Sequence, residues 1–167
     1  FQALLIVGVI KLAMVSVGGY TFDKCGRRPG LIMSLLGISA ALFLMAATHH
    51  NRIDLPDQDV VILAFVAVIL YVSAFSLGMG PGAWLLPSEL FTNDIRTNAI
   101  SATIFVSRII ATIVALTFLS MEQAMGFGTF IFFGLINIGS CLFVYLVVPE
   151  TKGKTLEDMH ELFEKDR

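Results

Sequence analysis

The chain of 167 residues is too apolar for an ordinary soluble domain, because 56% of it is hydrophobic and only 14% is charged. A soluble domain carries about 25% charged residues. With 11 Lys and Arg against 13 Asp and Glu, the net charge of −2 leaves no basic patch for nucleic acid. The two cysteines, Cys25 and Cys141, form neither a disulfide framework nor a metal-binding spacing. The chain begins at Phe1 with no basic segment before the apolar start, so we expect a partial sequence without a visible signal peptide.

Five long apolar runs make up most of the chain, and each is close to the length of about 20 residues that a membrane-spanning helix needs. They lack the polar face that soluble helices show every 3.6 residues, and they do not alternate as strands do. We therefore predict an all-α polytopic membrane protein, rather than five buried helices of a soluble protein. The predicted transmembrane helices span about residues 1–22, 31–48, 60–87, 99–121 and 127–148.

Residues 149–167 are predicted to form a charged tail, and most basic residues lie on the tail's side of the membrane. The opposite loops carry only Arg52. Because cytoplasmic loops are enriched in Lys and Arg, we expect a cytoplasmic tail. Residues 155–167 are interpreted either as a short amphipathic helix at the membrane surface or as a frayed polar end. The basic residues on the tail's side are Lys24, Arg27, Arg28, Arg96, Lys152, Lys154, Lys165 and Arg167.

The histidines suggest no catalytic or metal-binding constellation. His49 and His50 are adjacent, and His160 lies in the tail, with no cysteine close to any of them in the sequence. Adjacent side chains do not converge on one metal ion. We predict no metal site, no cofactor and no enzyme activity.

Residues 76–84, SLGMGPGAW, predict a break in the third transmembrane helix. Irregular backbone at membrane depth is tolerated only when it is buried in protein or lines a cavity, and broken helices mark binding sites in transporters. Trp84 follows the break, where its ring could stack on a ligand. The alternative is a Trp of the aromatic belt at the membrane surface.

Three further motifs lie near predicted helix ends. Asp23–Arg28 reads D-x-x-G-R-R, and Gly26 with Pro29 predicts a tight turn between antiparallel helices. Glu89 precedes Arg96 in one predicted loop, and Pro149–Gly153 reads P-E-T-K-G. Arg side chains are suited to bidentate pairing with carboxylates.

Taken in this order, the motifs resemble the C-terminal half of a sugar transporter of the major facilitator superfamily, the GLUT-like sugar porters. The matching segments are Asp23–Arg28, Gly78–Trp84, Ser88–Phe91 with Ile95–Arg96, and Pro149–Gly153. The resemblance covers the whole chain and implies that the five runs are helices 8 to 12 of a twelve-helix fold. Lys11, inside the equivalent of helix 8, resembles the class III members.

The resemblance implies an ion-pair gate on the cytoplasmic side, formed by the D-x-x-G-R-R motif with acidic partners. Some of these partners would lie in the preceding half of the chain. The gate residues are expected to be Asp23, Gly26, Arg27, Arg28, Glu89, Arg96 and Glu150.

The resemblance also implies a sugar site at the membrane midplane, between two halves of a longer chain. Gly80 and Trp84 match the family there. The other candidate positions depart from the common pattern: Ser76, Lys11, Ser107 and Arg108. A charge at a helix centre costs about 2.5–3.5 kcal/mol, so we expect Lys11 and Arg108 to face carboxylates of the missing half or an anionic substrate. For Lys11, the alternative is a side chain that extends to the membrane surface.

These implications favour alternating-access transport of a hexose, another monosaccharide or a polyol, without covalent chemistry. The alternatives are a carrier of sugar acids or inositol, with or without proton coupling, and a non-transporting sugar sensor or truncated binding module. The expected partners are the sugar, the lipid bilayer and the missing N-terminal half of the same chain. We expect a plasma-membrane location, no transport by this segment alone, and poor insertion or rapid degradation when it is isolated.

Overall fold

A computed structural model describes residues 2–49, 57–91 and 93–148, with side chains at 5–49, 58–88, 91 and 95–148. Within these ranges every regular element is an α-helix, and five spans are long and apolar enough to cross a membrane. The predicted fold class, an all-α polytopic membrane protein, is therefore confirmed. The helices are α1 (Gln2–Cys25), α2 (Arg27–Thr48), α3 (Asp57–Leu77), α4 (Met79–Leu90), α5 (Asn93–Met125) and α6 (Phe127–Val147).

The turn between α1 and α2 is shorter than the sequence predicts. Gly26 alone separates the helices, at a φ of 99°, and its N–H donates to the carbonyl of Phe22 at 3.1 Å. A positive φ is open to glycine without a steric penalty, so one residue can reverse the chain. The prediction that Pro29 belongs to the turn is wrong. Pro29 lies in the first turn of α2, where a missing N–H costs no helical hydrogen bond.

Helix α2 lies at the centre of the bundle and packs most extensively against α6 and α3. Its neighbours approach closely because the buried face combines small side chains with a few aliphatic ones. Asn137 of α6 reaches across and donates from Nδ2 to the carbonyl of Leu35 at 2.7 Å and to Oγ of Ser39 at 2.9 Å. The buried residues of α2 are Gly30, Leu31, Ser34, Leu35, Ile38, Ser39, Ala41 and Ala46.

Successive spans run antiparallel, which gives the bundle two distinct ends. At one end, Arg28 of α2 contacts Tyr145 near the end of α6. We call it the basic end: α1, α4 and α6 end there, and α2 and α5 begin there. At the opposite end, His49 after α2 lies 3.9 Å from the carboxylate of Glu122 on α5, and its ring is 5.0 Å from that of Phe130 on α6.

Helices α1 and α5 lie at the edges of the bundle and do not contact each other within the described residues. None of the most apolar stretch of α5 is buried. Apolar helix faces of this kind require lipid or further helices to cover them.

Candidate substrate site at a helix break

The centre of the candidate site is the break between α3 and α4 at Gly78. A break releases backbone groups that an uninterrupted helix would pair, and in a membrane interior such groups need partners. Ser34 of α2, with only 1% of its surface exposed, supplies them. Its Oγ donates to the carbonyl of Ala74 at 2.7 Å and accepts from the N–H of Met79 at 3.0 Å. One hydroxyl therefore bridges the two helix halves.

Glycines allow three helices to meet closely at the break. A Cβ on Gly78 would lie 2.5 Å from the carbonyl oxygen of Gly30 on α2, and a Cβ on Gly18 of α1 would lie 2.6 Å from that of Leu77. Both distances are shorter than real contacts allow, so backbone would have to move. Phe22 fills the remaining space, with its ring against the Cα atoms of Gly30 and Gly82.

Trp84 lies on the exposed side of α4. Two residues earlier, Gly82 packs against Leu31 and Phe22, where a Cβ would lie 2.7 Å from the Leu31 side chain. Residues two apart on an α-helix point about 200° apart, so a buried Gly82 turns Trp84 outward. The Trp84 side chain is 52% exposed accordingly. Gly80 is half-buried beside Phe75.

Ser76 does not lie on the exposed side with Trp84. It is 1% exposed, at the crossing with Gly18 of α1. Its Oγ has no hydrogen-bond partner within the described part of the chain. The structure therefore does not bring Ser76 together with the other candidate substrate residues.

The cationic candidates lie on the two edge helices. Lys11 is exposed on α1, two turns before Gly18, while Ser107 and Arg108 are exposed on α5. The Ser107 hydroxyl donates to the carbonyl of Ile104 on its own helix at 2.8 Å. Helix α4 contacts both α1 and α5. The helix of Trp84 therefore touches both helices that carry the cations, and α5 directly follows it in the chain.

At the basic end, the described arginines contact backbone carbonyls. Arg27 Nη1 donates to the carbonyl of Phe22 and Arg96 Nε to that of Phe91, each at 3.3 Å, while Arg28 donates to that of Tyr145. Asp23 is exposed in the last turn of α1. The predicted acidic partners lie outside the described atoms, since these omit the side chain of Glu89 and all of residues 149–167, with Glu150 and the predicted tail helix.

A cavity of about 470 Å³ lies toward the opposite end, between α2, α3, α5 and α6. Its walls are mainly apolar, with Tyr71, Asn137 and Ser140 as polar members. None of the candidate substrate residues lines it. No group of three or more His, Cys, Asp or Glu in the described ranges could hold a metal ion.

A bundle of apolar, membrane-length helices in which one span is broken is an architecture that many transporters share. The chain belongs to the sugar (and other) transporter family, which it matches over residues 1–163. Its helices superpose on the xylose transporter XylE from E. coli in an inward-open conformation, with a TM-score of 0.82 and 32% identity. That match covers 96% of this chain and 35% of XylE. A crystal structure of a double-Trp XylE mutant gives a TM-score of 0.84 over 95% of this chain and 34% of that one, at 32% identity.

Curated relatives include polyol and pentose carriers. Polyol transporter 5 of Arabidopsis thaliana is 37% identical over 161 residues, which is 94% of this chain and 30% of the relative. The D-xylose-proton symporter of Escherichia coli (strain K12) is 33% identical over an alignment of 170 positions, which covers 97% of this chain and 33% of the symporter. The chain thus spans about a third of the length of the relatives it matches.

Proposed function

We propose that the chain forms part of a carrier that moves a hexose, another monosaccharide or a polyol across a membrane by alternating access. The observation that carries this proposal is the broken helix, with a half-exposed Trp84 in the second turn after its break. Such half-helices form substrate sites in transporters, and an indole ring can stack on a sugar face. Alternating access needs two rocking halves, so the segment acts as part of a longer chain.

The proposed substrate site combines Trp84 and Gly80 on α4 with side chains of the edge helices. Trp84 stacks on the sugar, and Gly80 lets the substrate approach the backbone. Lys11 of α1 and Ser107 with Arg108 of α5 supply hydrogen-bonding groups. Ser76, buried at the α1 crossing, shapes the break rather than contacting the substrate.

The proposed gate lies at the basic end, which faces the cytoplasm of a plasma-membrane carrier because cytoplasmic loops are rich in Lys and Arg. Asp23 and Gly26 shape the turn that presents Arg27 and Arg28. These arginines and Arg96 pair with acidic residues, Glu89 and Glu150 among them, when the cytoplasmic side is closed. The pairs must open in every cycle, so they are expected to be only modestly stronger than exposed ion pairs of about 0–1 kcal/mol.

Uptake of labelled substrates tests the proposal. The full-length carrier would be expressed in cells that lack sugar uptake, and labelled glucose, xylose and sorbitol would be offered with and without a protonophore. Saturable uptake of at least one substrate is expected, and its loss with the protonophore would add proton coupling. No uptake of any of them, despite normal amounts at the cell surface, would contradict transport of these neutral substrates and favour either the sugar-acid carrier or the sensor alternative.

A second candidate, a carrier of sugar acids, is favoured by Lys11 and Arg108. Both are exposed within membrane-spanning helices, and the carboxylates of the chain lie near helix ends, in loops or in the tail. An anionic substrate would offset the cost of these cations. Gluconate should then compete with uptake, and Lys11→Asn should weaken that competition more than competition by sorbitol. Inhibition by neutral sugars alone would exclude this candidate.

A further inference from the structure

Ser34 has a role that no sequence motif indicates. It is buried in the first half of α2, and it contacts both sides of the helix break. Its Oγ is 2.7 Å from the Ala74 carbonyl of α3 and 3.0 Å from the Met79 N–H of α4. In an uninterrupted helix, that carbonyl would accept from Gly78 N–H and that N–H would donate to the Phe75 carbonyl. The hydroxyl replaces one bond on each side of the break.

We propose that Ser34 is a positioning residue, which fixes the half-helix α4 so that Trp84 is presented to the sugar. The inference rests on the proposed function, in which Trp84 contacts the substrate. Three contacts define the orientation of α4. The hydroxyl holds its first residue, Gly82 packs against Leu31 and Phe22, and Gly78 packs against Gly30. Gly30, Leu31 and Ser34 belong to consecutive turns of α2, so this helix supplies most of these contacts, and Phe22 of α1 supplies the rest.

Of these contacts, the hydrogen bond of the Ser34 hydroxyl is the one that a substitution can remove while the glycine contacts remain. The glycine contacts allow no movement toward α2, because the neighbouring atoms already touch. Without the hydroxyl, the buried Ala74 carbonyl and the partly buried Met79 N–H would lose this partner, and both would gain by finding another. A rotation of α4 that brings the Met79 N–H to another acceptor would turn Trp84 away from its position. Substrate affinity would then fall although the side chain that contacts the sugar is unchanged.

Uptake kinetics of the full-length carrier test the inference, with labelled substrate and with surface amounts measured for every variant. Ser34→Ala removes the hydroxyl without adding bulk. We expect KM to rise about three- to tenfold, the effect that hydrogen bonds between membrane helices can exert, while Vmax per surface molecule changes less than twofold. Ser34→Cys, with a weaker donor and acceptor of similar size, should give an intermediate KM.

Ser39→Ala is the matched control. Ser39 is a buried serine of the same helix, 4% exposed, and it bonds to the Leu35 carbonyl and to Asn137 rather than to the break. Its KM should stay within twofold of the unmodified carrier. If Ser34→Ala fails to reach the surface, the KM of Ser34→Cys decides instead, and an unchanged value overturns the inference.

A double variant separates positioning of Trp84 from a general structural role. If Ser34 acts through Trp84, adding Ser34→Ala to Trp84→Ala should change KM less than twofold. If the two substitutions instead multiply their effects on KM in the double variant, the inference is overturned. A loss of surface amount and Vmax in Ser34→Ala at constant KM would overturn it as well. An unchanged KM in Trp84→Ala would overturn the proposed site itself. A raised KM in Trp84→Ala, with none in Ser34→Ala, would overturn the positioning role alone.

Discussion

Arg28 in the first turn of α2 is bonded to Tyr145 in the last turn of α6. Its guanidinium donates to the backbone carbonyl of Tyr145 and lies 5.1 Å from the centre of the Tyr145 ring. The last carbonyls of a helix lack partners within it and carry partial negative charge, so a cation there satisfies both needs. The contact joins the two most extensively packed helices at the basic end.

We predict that Arg28→Ala destabilises the full-length carrier by about 1–3 kcal/mol, because it removes a charged hydrogen bond and a cation–π contact. The measurement is the melting temperature of the detergent-purified protein. Tyr145→Phe keeps both the ring and the carbonyl and should melt normally, while Tyr145→Leu should show an intermediate loss. Equal melting temperatures for Arg28→Ala and the unmodified protein would contradict a stabilising contact.

Asn137 provides a second tie between α6 and α2, through the Leu35 carbonyl at 2.7 Å and the Ser39 hydroxyl at 2.9 Å. Asn137→Ala should destabilise the carrier by about 0.6–1.7 kcal/mol, which are the average and the largest values measured for hydrogen bonds between membrane helices. Asn137→Asp should cost more, because a carboxylate would face the Leu35 carbonyl. A melting temperature that is lower for Ala than for Asp would contradict this geometry.

Alanine substitutions at two adjacent glycines of α1 are predicted to have very different effects on the folded carrier. A Cβ on Gly18 would meet the carbonyl oxygens of Leu77 and Ser76 at 2.6 and 2.8 Å, whereas a Cβ on Gly19 has nothing within 4 Å in the described part of the chain. Gly18→Ala should therefore separate α1 from the break and strongly reduce the folded carrier at the cell surface. Gly19→Ala is the matched control. Surface labelling that gives equal amounts for both variants would show that α1 and the break are packed less tightly than these distances indicate.

Ser76→Ala tests whether Ser76 is only a buried residue at the α1 crossing or contacts the substrate. The Oγ of Ser76 is buried without a hydrogen-bond partner in the described residues, so its removal should leave the melting temperature equal or higher. KM should not change, because the side chain is 1% exposed. If Ser76 contacts the substrate, as its sequence position suggests, KM should rise instead. The KM of this single variant decides between the two.

The sequence predicts the broad architecture because the signals are local and strong. Long apolar runs indicate membrane helices irrespective of their partners, and the glycines and prolines of residues 76–84 indicate where the third span breaks. The break at Gly78 lies inside that segment. The exact ends of the helices depend less on local sequence signals. Pro29 looks like a turn residue in the sequence, yet it fits the first turn of α2 because Gly26 alone reverses the chain.

The contacts around the break could not be predicted in the same way. Ser34 is one polar residue within an apolar run, and its significance depends on Ala74 and Met79, about forty residues away in the chain. The burial of Ser76 likewise depends on how closely Gly18 lets α1 approach. Small residues at Gly30, Ser34 and Gly37 are the available signal, since such spacing is typical of close helix packing in membranes. It does not identify the neighbour.

The KM for sugar uptake by the full-length carrier after substitution of Trp84 shows most directly whether the helix break forms a sugar site. If Trp84 stacks on the sugar, Trp84→Ala should raise KM about tenfold at equal surface amounts. Trp84→Phe should raise it less, because a ring remains. An unchanged KM in Trp84→Ala, with normal surface amounts, would contradict a sugar site at the helix break.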